Sequence, residues 1–286
     1  MGITVDETAE SERGPATGHG GGAGPALSVG RTPWVRATVV GHLVIAGALA
    51  VATVGAVAAG AFAMPIAVVF PVVIGVGLVG AWLASRGTRA GLAIAIVLAV
   101  LVVGANLEFI AAGVTTPASF WDFVPNLGAL VGGLLAVIGG ILALRHRSQA
   151  PVALTGPERR VVQSALAFLA VATIGSAALA ATSATTVSAA QREGAVEVEA
   201  VDTAYAPDVL DVDAGARVVV DNIGNYTHTF TIPELGIDLE VLPGSSAIAT
   251  LPDQVDAGSW QFHCTPHSTG DDGARTGMVG TLEVRS

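Results

Sequence analysis

The softest donors in the chain gather toward its C-terminus: His228, Cys264, His267 and Met278. Cys264 is the single cysteine, so an intramolecular disulfide and the stapled scaffolds built on one are excluded. His267 follows Cys264 three residues on, just past Pro266, while His228 lies well upstream in Asn225-Tyr226-Thr227-His228-Thr229-Phe230. A thiolate and two imidazoles in a trigonal array, with a more distant thioether, form the donor set of a blue-copper electron-transfer centre. Sulfur favours Cu(I) and imidazole also suits Cu(II), so a site between both preferences reorganises little when an electron passes. A lone cysteine is more often a small buried hydrophobe, and a lone histidine is more often structural. Neither reading accounts for all four residues at this spacing.

Such donors need strands and turns to bring them together. Trp260–Cys264 reads as a strand ending at Pro266, with His267 in the turn beyond, and Gly277–Val284 reads as the start of the last strand. From Val196 onward, β-branched and alternating runs bounded by Gly, Pro, Asn and Asp recur to Val284. The pattern predicts a β-sandwich of seven or eight strands, large enough for one core without disulfides. In that fold His228 can stand beside the connection between the last two strands. Alternation along the strand sends His263 to the face opposite Cys264, which makes it a surface or supporting residue rather than a ligand. Thr229 and Thr265 each follow a candidate ligand. They can hydrogen-bond the two ligand-bearing segments together, or they can be ordinary strand and turn threonines.

The C-terminal part, residues ~196–286, resembles the cupredoxin family, the plastocyanin- and halocyanin-like type 1 copper domains. The resemblance is carried by the entry run Ala204–Gly215, with Tyr205, Pro207, Leu210, Val212 and Gly215 in register, by His228-Thr229-Phe230, by Cys264-x-x-His267, and by Gly277-Met278-x-Gly280. It implies a Greek-key sandwich holding one mononuclear copper, with His228, Cys264 and His267 as strong ligands and Met278 as the axial one. The segment Ser268–Gly277 between His267 and Met278 is longer than the family's, a departure that bears on Met278 alone. The resemblance further implies a single-electron carrier rather than an enzyme, with His267 as the electron port. A two-copper oxidase centre needs a second cysteine. A copper nitrite reductase needs a second such domain and further histidines. The alternatives to electron transfer are copper capture or delivery, or a sensory module that keeps the fold.

The rest of the chain is built for a different solvent. Of all residues 52% are hydrophobic and 13% charged, half the charged share of an ordinary soluble domain, about 25%. Five apolar stretches, roughly 38–62, 65–83, 92–110, 123–144 and 161–182, are each long enough to cross a ~30 Å hydrocarbon core. Arg31 and Arg36, Arg86 and Arg89, and Arg145, Arg147, Arg159 and Arg160 fall in alternate connections, and the others carry Glu108 and Asp122 instead. The positive-inside rule then places the N-terminus in the cytoplasm and, after five spans, the C-terminal domain outside. Gly128 and Gly132 form a GxxxG that marks close helix packing, and His42 reads as an interfacial polar residue of the first span. The expected organisation is a tail without periodicity (1–34), a five-helix all-α transmembrane domain (35–183), a linker (184–195) and the copper domain (196–286).

Charge divides the same way. Residues 190–286 hold 16 acids against 4 arginines, whereas residues 1–189 hold 7 acids and 9 arginines. An acidic exterior half excludes nucleic acid as a partner, since phosphates need a basic face. It favours redox proteins with basic docking patches at the membrane surface.

Overall fold

A computed structural model describes residues 33–58, 66–146, 156–201 and 203–285. Most of the expected N-terminal tail, Arg31 and Arg147 lie outside the described residues. The N-terminal half is helical: α1 (Pro33–Ala58), α2 (Ile66–Ser85), α3 (Arg89–Ala105), α4 (Leu107–Val114), α5 (Phe120–Arg145) and α6 (Pro157–Ser183). Among the described residues four helices, α1, α2, α5 and α6, are long and apolar enough to cross a membrane, or five if α3 and α4 together make one bent span. The stretch expected as one straight span over 92–110 is broken at Asn106, where the two helices meet at 65°. The cause is local. The Asn106 side chain donates to the Val102 carbonyl at 2.7 Å, and its own N–H turns back to Val103 at 3.2 Å. A side-chain amide that competes for backbone carbonyls in this way ends a helix.

Helices α1 and α5 pack backbone to backbone through small residues. A Cβ added at Gly41 of α1 would lie 2.4 Å from the Ala136 nitrogen, and one at Gly132 of α5 would lie 2.7 Å from the Gly41 carbonyl oxygen. Gly128 meets Ala48 in the same seam, so the GxxxG of α5 is the α1-facing stripe. His42 departs from its expected interfacial place. It is buried, its ring fills the space where a Cβ on Gly80 of α2 would fall, and its Nε2 is 3.0 Å from the Ala95 carbonyl of α3. The glycine leaves the room the ring fills, so the imidazole joins three helices inside the bundle.

The segment expected as a linker is ordered. A short helix α7 (Ala189–Arg192) closes on a capping box between Ser188 and Gln191. Arg192 then forks onto Asp221 at 2.7 and 2.5 Å and reaches Glu197 at 3.1 Å. Beyond it lie, among the described residues, nine strands, one more than the longest count the turn signals predict: β1 (Val196–Val201), β2 (Ala204–Ala206), β3 (Val209–Asp213), β4 (Arg217–Asn222), β5 (His228–Ile232), β6 (Ile237–Val241), β7 (Ser246–Thr250), β8 (Gly258–Thr269) and β9 (Thr276–Arg285). They form two sheets, ordered β2-β1-β4-β7 and β3-β9-β8-β5-β6, with β1 parallel to β4 and β3 parallel to β9. The apolar residues of both sheets meet in one core, Val198, Val218 and Val220 facing Phe230, Phe262 and Leu282. Cys264 and Met278 are packed at its edge.

Candidate metal centre

The strand predicted to stop at Pro266 does not stop. β8 pairs with β9 through His263↔Val279, loses register, and resumes at Ser268↔Gly277 and Thr269↔Thr276. Cys264–His267 therefore form a bulge inside a continuous hairpin, and Met278 lies on β9 directly across from it. A bulge releases residues from the ladder and re-aims their side chains. The longer segment after His267 is absorbed by this pairing. Its first and last residues zip together as strand, and the surplus projects as a tip over residues 270–275. Gly277, at φ 104°, sits where a Cβ would press 2.5 Å from the His267 carbonyl, so the close return of β9 beneath the bulge requires glycine.

Three of the four candidate donors converge. The sulfur of Cys264 lies 3.6 Å from Nδ1 of His228 and 3.3 Å from Nδ1 of His267. All three donor atoms fall within 4.8 Å of one another, and the two rings are 4.9 Å apart at their centroids. A trigonal first-row metal with bonds of roughly 2.0 Å to nitrogen and 2.3 Å to sulfur spaces its S and N donors by roughly 3.7 Å. The observed sulfur–nitrogen separations lie close to that spacing. Cys264, His228 and Met278 are wholly buried and His267 is half-buried. Among the described residues this is the one group of three His, Cys, Asp or Glu donors so arranged. Two imidazoles and a thiolate with a thioether across the bulge suit copper.

The surroundings hold these donors in place. The Thr229 N–H donates to the Cys264 sulfur at 3.4 Å, and the Thr265 N–H donates to the Thr229 hydroxyl at 2.8 Å. Of the two expectations for these threonines, the one joining the ligand-bearing segments is the one realised. Ser268 closes the bulge by donating to the Cys264 carbonyl at 2.8 Å. Three contributors escaped the sequence reading. Tyr205 hydrogen-bonds the Thr229 carbonyl from inside the core. Asn222 donates to the carbonyls of Tyr226 at 2.8 Å and Val241 at 2.7 Å, fixing the turn that leads into His228. Asp122 of α5 accepts from the Thr227 N–H at 2.8 Å. The first two side chains had a polar atom on a strand that reads as core, a usable signal. His263 is not part of the donor group and is buried rather than at the surface, among the charges of Arg275, Asp272, Glu234 and Asp238.

Burial sets the proton inventory. It pushes the Cys264 thiol up to about 11. Burial first, and then the neighbouring His267, brings the His228 imidazole down to about 3, and burial lowers His267 as well. At neutral pH both rings are thus neutral with free nitrogens, and the sulfur holds its proton. A metal must displace that proton. Because the thiol stays protonated at every pH below about 11, Cu(II) uptake is expected to release one proton per metal across neutral pH. Affinity should climb about tenfold per pH unit. Calorimetry in buffers of different ionisation enthalpy reads this directly, and uptake without proton release would contradict it.

Residues 166–274, 109 of the 286, match the family model of the cupredoxin-like domain. The match begins inside α6 and ends at the hairpin tip, short of Met278. No curated protein matches the chain. Among solved structures it is similar to amicyanin from Paracoccus versutus (22% identity, 35% of this chain and 85% of that one, TM-score 0.26). It is similar also to a pseudoazurin from Sinorhizobium meliloti (19%, 32% and 73%, TM-score 0.24). A copper-containing nitrite reductase from Thermus scotoductus is matched at 17% identity over 32% of this chain and 22% of that one, TM-score 0.25. The family match and the buried Cys264 centre agree on one assignment: behind its apolar helices this chain carries a cupredoxin-like domain.

Proposed function

We propose that the protein is a membrane-anchored type 1 copper protein that carries single electrons at the outer face of the membrane. The observation that carries this reading is the buried convergence of the Cys264 sulfur with both histidine Nδ1 atoms. His228, Cys264 and His267 would hold one copper, and Met278 would add its thioether as the fourth, weaker donor. Copper bound there supplies a one-electron couple between Cu(I) and Cu(II). The protein keeps both rings neutral, excludes water with Met278 and the phenylalanine core, and fixes the sulfur through Thr229. A rigid donor set of this kind favours passing electrons over binding and releasing a substrate, so we read a carrier rather than an enzyme.

Five crossings, with α3 and α4 counted as one, and a Greek-key path through the sandwich complete this architecture. The sidedness follows from charge. The sandwich touches Asp122 at the start of α5, whereas Arg145 lies at the far end of the same helix. Arginines mark the cytoplasmic ends, so the copper domain is outside. Its acidic surface favours partners with basic docking patches and makes association salt-sensitive.

The test is a redox titration of the copper-loaded full chain. Electron transfer predicts a reversible one-electron couple with copper retained in both states. Loss of copper to a Cu(I) chelator on reduction would favour capture and delivery instead. No copper uptake would leave the sensory module.

A further inference from the structure

Among the described residues, hydrogen bonds join the sandwich both to the chain leaving α6 and to α5 itself. After α6 ends at Ser183, Thr185 already pairs with the sandwich: its carbonyl accepts from the Ser246 N–H at 2.7 Å, and its N–H donates to the Ser245 hydroxyl at 3.1 Å. The Ser245 carbonyl in turn accepts from the Asn222 N–H at 2.9 Å, and Asn222 holds the turn into His228. The second attachment comes from residues far away in sequence. Oδ2 of Asp122 accepts from the Thr227 N–H at 2.8 Å and from the Ser119 hydroxyl at 2.5 Å. Thr227 immediately precedes the ligand His228. Ser119 and Thr227 are both buried, although each stands at the end of an element.

Because Thr227 is joined directly to His228, the carboxylate that accepts its N–H also brings a negative charge beside the cluster. A negative charge there favours the more positive of two metal states.

We propose that Asp122 is a positioning residue of the metal centre, seating the His228 end of the sandwich on the bundle and holding a negative charge beside the cluster. The bundle is then more than a tether, because one of its side chains completes the surroundings of the site. The site-bearing end of the sandwich faces the membrane boundary rather than open solvent. The electrical part rests on the copper reading above, and the seating does not.

Two variants of the full chain separate the parts. In Asp122→Asn an amide oxygen can still accept from Thr227 while the charge is gone; in Asp122→Ala both are lost. Hydrogen exchange of the Thr227 amide in the metal-free protein is expected to stay slow in the asparagine variant and to become fast in the alanine variant. In copper-loaded protein both variants are expected to shift the oxidised-to-reduced ratio about tenfold toward the reduced state, or 59 mV for one electron. Unchanged Thr227 exchange in Asp122→Ala would overturn the seating. Faster exchange with an unmoved couple would overturn the electrostatic role alone. A chain that takes up no copper would sink the copper reading and leave exchange to decide the seating.

Discussion

Cys264→Ser is expected to abolish the intense visible absorption of the copper-loaded chain and to leave the sandwich folded. The colour of such a centre comes from charge transfer between a thiolate and Cu(II), so it requires sulfur within bonding distance. Serine is close in shape, and its hydroxyl can take over the contact with the Thr229 N–H that the sulfur makes at 3.4 Å. It remains a hard, neutral donor at any accessible pH and cannot replace the thiolate. Cys264 is wholly buried, and a hydroxyl left without a partner there would cost about 1–3 kcal/mol, so one that keeps the Thr229 N–H costs less. Absorption and electron paramagnetic resonance, with circular dichroism as the control for folding, read the outcome. A variant that stays equally blue would place the copper elsewhere.

Phe262→Ala is expected to destabilise the sandwich by about 3–5 kcal/mol, the range for truncating a fully buried phenylalanine. Phe262 has no solvent exposure. Its ring lies 4.8 Å from Phe230 and 4.9 Å from Tyr205, and it fills the space where a Cβ on Gly280 would fall 2.2 Å away. These residues lie on β2, β5, β8 and β9, and neither sheet can close onto the cavity without moving the other. The loss should reach the metal centre as well, because Phe262 stands two residues before Cys264 and its neighbour Tyr205 hydrogen-bonds Thr229. Urea denaturation followed by near-ultraviolet circular dichroism measures the change. A loss below about 1 kcal/mol would show that the core does not close on this ring.

Which features could be read from the chain depended on how local their cause is. The alternation beginning at Val196 predicts β1 at its observed first residue, because a strand's period is written in consecutive side chains. Cys264 and His267 are three apart, and His228 opens a strand flanked by turn residues, so their convergence was legible. The continuation of β8 past Pro266 was not. It depends on Ser268 and Thr269 pairing with Gly277 and Thr276 across the hairpin tip, which the proline masks. The bend at Asn106 was missed because hydropathy runs on unbroken across it, while one side-chain amide decides the backbone. His42 read as interfacial from its depth in the span, since the vacancy at Gly80 that accepts its ring belongs to another helix. The contact of Asp122 with Thr227 joins residues 105 apart, and nothing in the spacing of either points to the other. The ordered linker has the same character. Arg192 looks like any solvated cation until β4 places Asp221 beneath it.

If one copper is held by one sulfur and two imidazole nitrogens of the sandwich, X-ray absorption at the copper edge of the loaded full chain will show it. The expected spectrum contains a single short copper–sulfur path, from Cys264, and the multiple-scattering signature of two histidine rings. A first shell made only of nitrogen and oxygen, with no sulfur in it, would contradict the assignment.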